Sequence, residues 1–165
     1  TLSDIEVPEG TWTLDIPTRH DSTYYGLSYR WRIDDSVALT PSLGLRVVEF
    51  ALGYNPLYGS SFYRGVELGV AVDYAASPRW VVEGEGQLRP AVDLGSGENE
   101  FGTEASSFGF AIEAGLRYVT SLGLYARAAA RYDRYSTRWT PLPGETETRA
   151  TDGFQTFVIG VGYAY

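Results

Sequence analysis

Residues 107–133, SFGFAIEAGLRYVTSLGLYARAAARYD, decide the fold. Phe108, Phe110, Ile112, Ala114, Leu116 and Tyr118 take alternate positions, with Ser107, Gly109, Ala111, Glu113, Gly115 and Arg117 between them. Successive side chains of an extended chain leave on opposite faces, so one face here is apolar and the other small or charged. Thr120-Ser121 marks a turn. Beyond it, Leu122, Leu124, Ala126, Ala128, Ala130 and Tyr132 alternate with Gly123, Tyr125, Arg127, Ala129, Arg131 and Asp133. A helix would repeat its apolar residues every three or four positions, and no such spacing occurs. The segment predicts two antiparallel strands joined tightly.

The same period extends in both directions. Upstream, Tyr25, Leu27, Tyr29, Trp31 and Ile33 oppose Gly26, Ser28, Arg30 and Arg32, followed by a turn at Asp34-Asp35-Ser36. Strands are predicted from Val37 to Val47, from Val66 to Tyr74 and from Trp80 to Leu88. Downstream, Phe157, Ile159, Val161, Tyr163 and Tyr165 alternate with Thr156, Val158, Gly160, Gly162 and Ala164. A weaker eighth strand is predicted where Trp12, Leu14 and Ile16 alternate with polar residues. Short turns near 34–36, 75–78 and 119–121 fall at one end, and longer connections near 17–22, 50–62, 91–106 and 136–152 at the other. An even, up-and-down meander of this kind predicts an all-β fold: an eight-stranded antiparallel barrel over residues 10–165, in one domain, preceded by a tail over 1–9.

Composition narrows the chemistry. The 165 residues hold one His, no Cys and no Met, and all 13 basic residues are Arg against 21 Asp and Glu. Disulfides, thiolate zinc sites and cysteine nucleophiles are excluded. The net charge of −8 argues against nucleic acid as a partner, because no basic excess is available to displace phosphate counterions. No apolar run approaches the ~20 residues of a membrane helix. A mean hydropathy of −0.18 reads as soluble, but it averages two unlike faces.

Alternation leaves open which face points outward. A soluble barrel lines its interior with the apolar face, and a transmembrane barrel inverts the order. Gly10-Thr11-Trp12 is similar to the opening strand of lipocalins, which keeps a soluble carrier as the alternative fold. Four features favour inversion. The polar face balances Arg30, Arg32, Arg46, Arg89, Arg117, Arg127 and Arg131 against Asp15, Glu67, Asp73, Glu83, Glu85, Glu113 and Asp133, as an ion-pair network confined in a lumen requires. That face is also rich in Gly and Ala, which leave room for long side chains. Aromatics gather at strand ends, as in an interfacial girdle: Tyr24, Tyr25, Trp31, Tyr63, Tyr74, Trp80, Tyr118, Tyr132 and Tyr163. Finally, the apolar face carries no charge at the strand centres, where an Arg against lipid would cost roughly 2–4 kcal/mol.

The last eight residues, VIGVGYAY, resemble the C-terminal assembly signal of bacterial outer-membrane barrels through Gly160, Tyr163 and Tyr165, with Val158 where a polar residue is usual. Together with the meander, the chain resembles the small eight-stranded members of that group, of the OmpX and OmpA barrel-domain kind. The resemblance implies an integral outer-membrane location, with periplasmic turns and outward-facing loops. Its implied partners are the lipid bilayer, lipopolysaccharide and the barrel-assembly machinery, and it implies no cofactor.

Several groups of residues are candidates for chemistry. His20-Asp21-Ser22 is similar to the His-x-Ser of outer-membrane lipid A deacylases, with Thr23 in place of the following Asn. An extended His-x-Ser puts base and nucleophile on one face, which keeps a lipid-modifying acyl hydrolase or transferase open. Against this, Asp and Ser are ordinary turn residues, and here they fall in the expected first connection. The lumen charges are read as a structural plug, because an eight-stranded barrel is only wide enough for its side chains; a small-solute or ion channel is the alternative. Asp93, Glu98, Glu100 and Glu104 lack the spacing of a calcium loop and are read as solvated, so no metal site is expected. Phe50, Leu52, Tyr54, Leu57, Tyr58, Phe62, Phe101 and Trp139 are expected on the longer connections, where they would offer a surface to a protein partner. The function expected is structural support or recognition through the outer loops.

Overall fold

The alternating segments fold as strands, each paired antiparallel with its neighbour along the chain. The computed structural model describes residues 2–3, 16–52, 61–93, 103–140 and 148–163. Its strands are β1 Leu2–Ser3, β2 Ile16–Ser28, β3 Trp31–Arg32, β4 Val37–Leu52, β5 Ser61–Ala75, β6 Trp80–Arg89, β7 Val92–Asp93, β8 Thr103–Val119, β9 Leu124–Thr140 and β10 Thr148–Tyr163. The short β3 and β7 continue β2 and β6 after brief interruptions, pairing with β4 and β5 respectively. Pro90 accounts for the second interruption, because it has no N–H to give the ladder. Seven long spans therefore run up and down in a strongly curled half-barrel.

The predicted eighth strand is not among these spans. Trp12 and Leu14 lie outside the described residues, and Ile16 opens β2. Within the expected N-terminal tail, Leu2 pairs with Pro17 and Ser3 with Ile16. Among the described residues β10 pairs only with β9, so no backbone ladder joins it to β2.

The first long connection, expected near 17–22, is also corrected. Those residues lie inside β2, with His20 opposite Phe50 and Ser22 opposite Val48. Their composition is polar on both faces, so the strand shows no hydrophobic period and is held by its partner β4. The other strands outrun their apolar stretches as well and take in the ends of the connections expected at 50–62, 91–106 and 136–152; residues 53–60, 94–102 and 141–147 lie outside the described residues.

At the opposite end the three turns are tight. Asp34 Oδ1 accepts hydrogen bonds from Ser36 N, Ser36 Oγ and Val37 N at 2.7–2.8 Å. Ser77 Oγ accepts from Trp80 N at 3.1 Å. In the third turn Gly123 has φ 81°, a left-handed conformation costly for a residue with a Cβ, and its N–H donates to Thr120 O at 3.1 Å. Bonds from Ala75 N to Ser36 O and from Val119 N to Arg79 O lock neighbouring turns together.

Curling the sheet separates its faces. The convex face exposes Leu27, Leu45, Leu68, Val70, Ile112, Phe157 and Ile159, the last at 88%. On the concave face Glu67 and Arg89 are 1% exposed. Charge inside and oil outside is the reverse of a water-soluble barrel.

Candidate functional site

Parity along each strand places the charged side chains together. Glu67 on β5, Arg89 on β6 and Asp133 on β9 all point into the concavity. Glycines opposite them leave space. A Cβ on Gly109 would lie 2.9 Å from the Tyr135 ring and 3.3 Å from Arg89 Cδ.

At the centre, Arg46 donates through Nε and Nη2 to the two oxygens of Glu67, at 2.9 and 2.8 Å. Arg89 donates to Glu67 through Nε at 2.8 Å, to Tyr135 Oη through Nη1 at 2.8 Å and to Asp133 through Nη2 at 2.9 Å. Gln87 joins the same Nη2 at 3.0 Å. Arg131 holds Asp133 at 2.6 Å through Nε and approaches Glu113 at 3.6 Å. Arg127 then bridges Glu113 and Glu83. Arg117 stands 3.2 Å from Glu83, without hydrogen-bond alignment at its Nε, and 3.4 Å from Asp73. Asp73 also receives Arg30 at 2.8 Å.

The result is one continuous chain of alternating charge from Arg46 to Arg30. Buried ions are tolerable only when each has several well-aligned partners, and the planar fork of Arg supplies them. Two members of the sequence-predicted network stand apart. Arg32 lies on the exposed turn rim, paired with Asp35 of the adjoining turn at 3.1 Å. Glu85 accepts a hydrogen bond from Gln87 Nε2 at 2.6 Å and has no ion pair among the described residues. Asp15 lies outside the described residues.

A second layer lies toward the long connections. Tyr63 and Tyr135 stack with centroids 4.2 Å apart, packed with Val48, Val92 and Trp139, and Phe154 closes over them. Tyr63 Oη also donates to Asp152 on β10, linking both sides of the curl. Sequence reading put Tyr63 in a girdle and Trp139 on an outer loop; both are buried on the concave face. The available signal was parity: Tyr63 keeps step with Glu67, and Tyr135 and Trp139 with Asp133. Phe50 contacts Phe154 at 5.2 Å, and Phe62 faces outward. The backbone of Leu52 lies at the end of β4, whereas Tyr54, Leu57, Tyr58 and Phe101 lie outside the described residues.

Among the girdle candidates, Tyr25, Trp31, Tyr74 and Trp80 are exposed on the convex face, where Trp80 meets Tyr118 at 4.8 Å. Tyr132 contacts Phe110 on that face at 6.2 Å. Tyr24 is a correction: it turns inward over Gly26 and Gly44, with Arg46 5.1 Å from its ring centroid. Of the C-terminal trio, Gly160 and Tyr163 lie on β10 and Tyr165 lies outside the described residues.

His20, Asp21 and Ser22 each have separate partners. His20 packs its ring 4.9 Å from Phe154, and Ser22 Oγ accepts a hydrogen bond from Arg46 at 3.1 Å. Asp21 leaves on the opposite face and pairs with Arg19 at 2.6 Å. No hydrogen bond joins these three side chains among the described residues. Asp93 pairs with Arg64 at 2.7 Å, Glu98 and Glu100 lie outside the described residues, and Glu104 belongs to β8. No group of three or more His, Asp or Glu side chains suited to a metal occurs among the described residues. Comparison of the chain with known protein families, characterised proteins and solved structures finds no match.

Proposed function

We propose that this chain is an integral outer-membrane β-barrel of the small eight-stranded kind, closed inside by ion pairs and acting as a structural or recognition protein through its long connections. The observation that carries the reading is the inversion of its faces: Leu27, Phe157, Ile159 and Val161 are more than four-fifths exposed, while Glu67 and Arg89 are buried. In water such a surface would aggregate. In hydrocarbon it is the favourable arrangement: the inner strands pair on both sides, and the proposal includes closure of the curl, which leaves no open edge in lipid. Dimensions agree. At ~3.3 Å per residue the outward apolar positions from Val66 to Tyr74 and from Phe108 to Tyr118 cover about 26 and 33 Å. Tilted at 35–45°, they make a belt roughly 20–25 Å tall, the height of a barrel's apolar band.

The interior supports a plug rather than a pore. Arg89 alone bridges β5, β6 and β9 through its hydrogen bonds, so little free section remains at that level. Recognition then falls to the connections at the end opposite the tight turns.

Refolding into detergent or bilayers tests the reading. The unboiled protein is expected to migrate as a compact, heat-modifiable species and to add no stable conductance to a planar bilayer. A species that stays folded and monomeric in detergent-free buffer would overturn the membrane assignment, and a steady ion-selective current would overturn the plug.

A further inference from the structure

The convex belt lacks side chains along part of one strand. Strand β6 places Gly84 and Gly86 at successive outward positions, and a Cβ at either would meet nothing within 4 Å. Glycine inside a strand weakens it and marks a place where something else approaches the backbone. Around Gly86, Leu68 and Val70 on β5 and Phe110 and Ile112 on β8 form the walls of a groove of about 480 Å³.

The groove leads toward positive charge. Phe108 lines it and also lines a second recess of about 380 Å³ at the rim nearest the long connections, together with Ser106, Ser136, Arg138 and Arg149. Arg149 and Arg138 are directly opposed on neighbouring strands, and Arg134 follows on the same face of β9. Like charges directly opposed across a ladder repel, and an anion between them reverses the sign. Arg138 has a further interaction of its own, while Arg134 and Arg149 have no ion pair among the described residues. From Ser106 to Ile112 is about 20 Å along β8. At the tilt of a barrel strand that is roughly 15 Å of depth, half of a hydrocarbon core ~30 Å thick, so the adjoining recesses, which share Phe108, together run about the length of one acyl chain.

We propose that this wall holds a phosphorylated acyl lipid, its phosphate between Arg149 and Arg138 and one chain laid over Phe108 into the groove at Gly86. Charge complementarity selects the headgroup, and the missing side chains of β6 admit the tail. The site rests on the membrane reading, since only a barrel set in a bilayer presents this wall to lipid.

The test uses the full chain in nanodiscs of phosphatidylcholine doped with dioleoylphosphatidate, with retained lipid counted by native mass spectrometry. Wild-type protein is expected to keep phosphatidate in preference to phosphatidylcholine. Arg138→Ala with Arg149→Ala should lower that retention by about tenfold or more, as expected for lost charge-assisted bonds. Gly86→Leu sets its Cβ in open space, projects into the groove and should lower retention while leaving both Arg in place. Heat-modifiable migration of each variant reports its fold.

Equal retention of both lipids, or retention unchanged in the folded variants, would overturn the site and leave the membrane reading standing. Displacement by millimolar inorganic phosphate would also overturn it, by showing a headgroup pocket that needs no chain. So would a second copy of the chain held in place of lipid and lost with Gly86→Leu. Failure of the wild type to insert at all would overturn the membrane reading itself.

Discussion

Arg89 is the most deeply buried cation among the described residues. It is 1% exposed and its guanidinium serves Glu67, Asp133, Tyr135 and Gln87 together. Removing it leaves two carboxylates without one of their cations in a site that water does not replace. Arg89→Ala is expected to destabilise the fold by about 3–5 kcal/mol in urea-unfolding measurements, the usual cost of breaking a buried pair. Arg89→Lys should recover only part, because an ammonium cannot reproduce the fork that reaches several acceptors. The same reasoning accounts for an interior built from Arg alone.

Asp34 offers a contrasting residue-scale test at the exposed turn. The hydrogen bonds from the Ser36 side chain and backbone, then from the Val37 backbone, hold its carboxyl below the ordinary value of 3.8. A lowered folded value means that the carboxylate's contribution is complete above 3.8 and fades as pH falls through the folded value. Hydrogen exchange of the Ser36 and Val37 amides should therefore stay slow down to that pH and quicken below it. In Asp34→Ala the protection should be absent at every pH.

At the scale of strands, glycine has two opposite meanings. A Cβ on Gly44 would lie 2.6 Å from Tyr24 Cε2 and 2.7 Å from Gly26 Cα, whereas one on Gly84 meets nothing. Gly44→Val is thus expected to cost about 1–3 kcal/mol by overpacking, and Gly84→Val to change stability by less than about 0.5 kcal/mol, in the same unfolding assay. Alternation made the strands legible wherever one face was apolar, as along Phe108 to Tyr118. It failed at residues 17–22, where both faces of β2 are polar and only the partner strand β4 dictates the pairing. Once strand ends are misplaced, residues near them change role. Trp139 read as a loop residue because β9 outlasts its apolar stretch by several positions. The charged concave face was readable from parity alone. Its partnerships across the curl were not, since Arg89 and Asp133 meet from strands that are not neighbours.

For the whole molecule, the bulk figures conceal the design. Mean hydropathy of −0.18 comes from averaging a convex apolar wall with a concave charged one. The net charge of −8 likewise arises outside the interior network, where six Arg face five carboxylates. On the proposed membrane reading, folding and location are one problem, because the ion pairs remove charge from the convex surface and leave a belt suited to lipid. The absence of Cys from the chain allows single labels to be placed anywhere without background. The direct test is a nitroxide scan of residues 108–118 on β8 in reconstituted bilayers, reading collision with oxygen against collision with a water-soluble nickel chelate. Even-numbered positions should favour oxygen and odd-numbered positions should be shielded from both. A scan in which the even positions collide mainly with the nickel chelate would contradict a lipid-facing belt and with it the account as a whole.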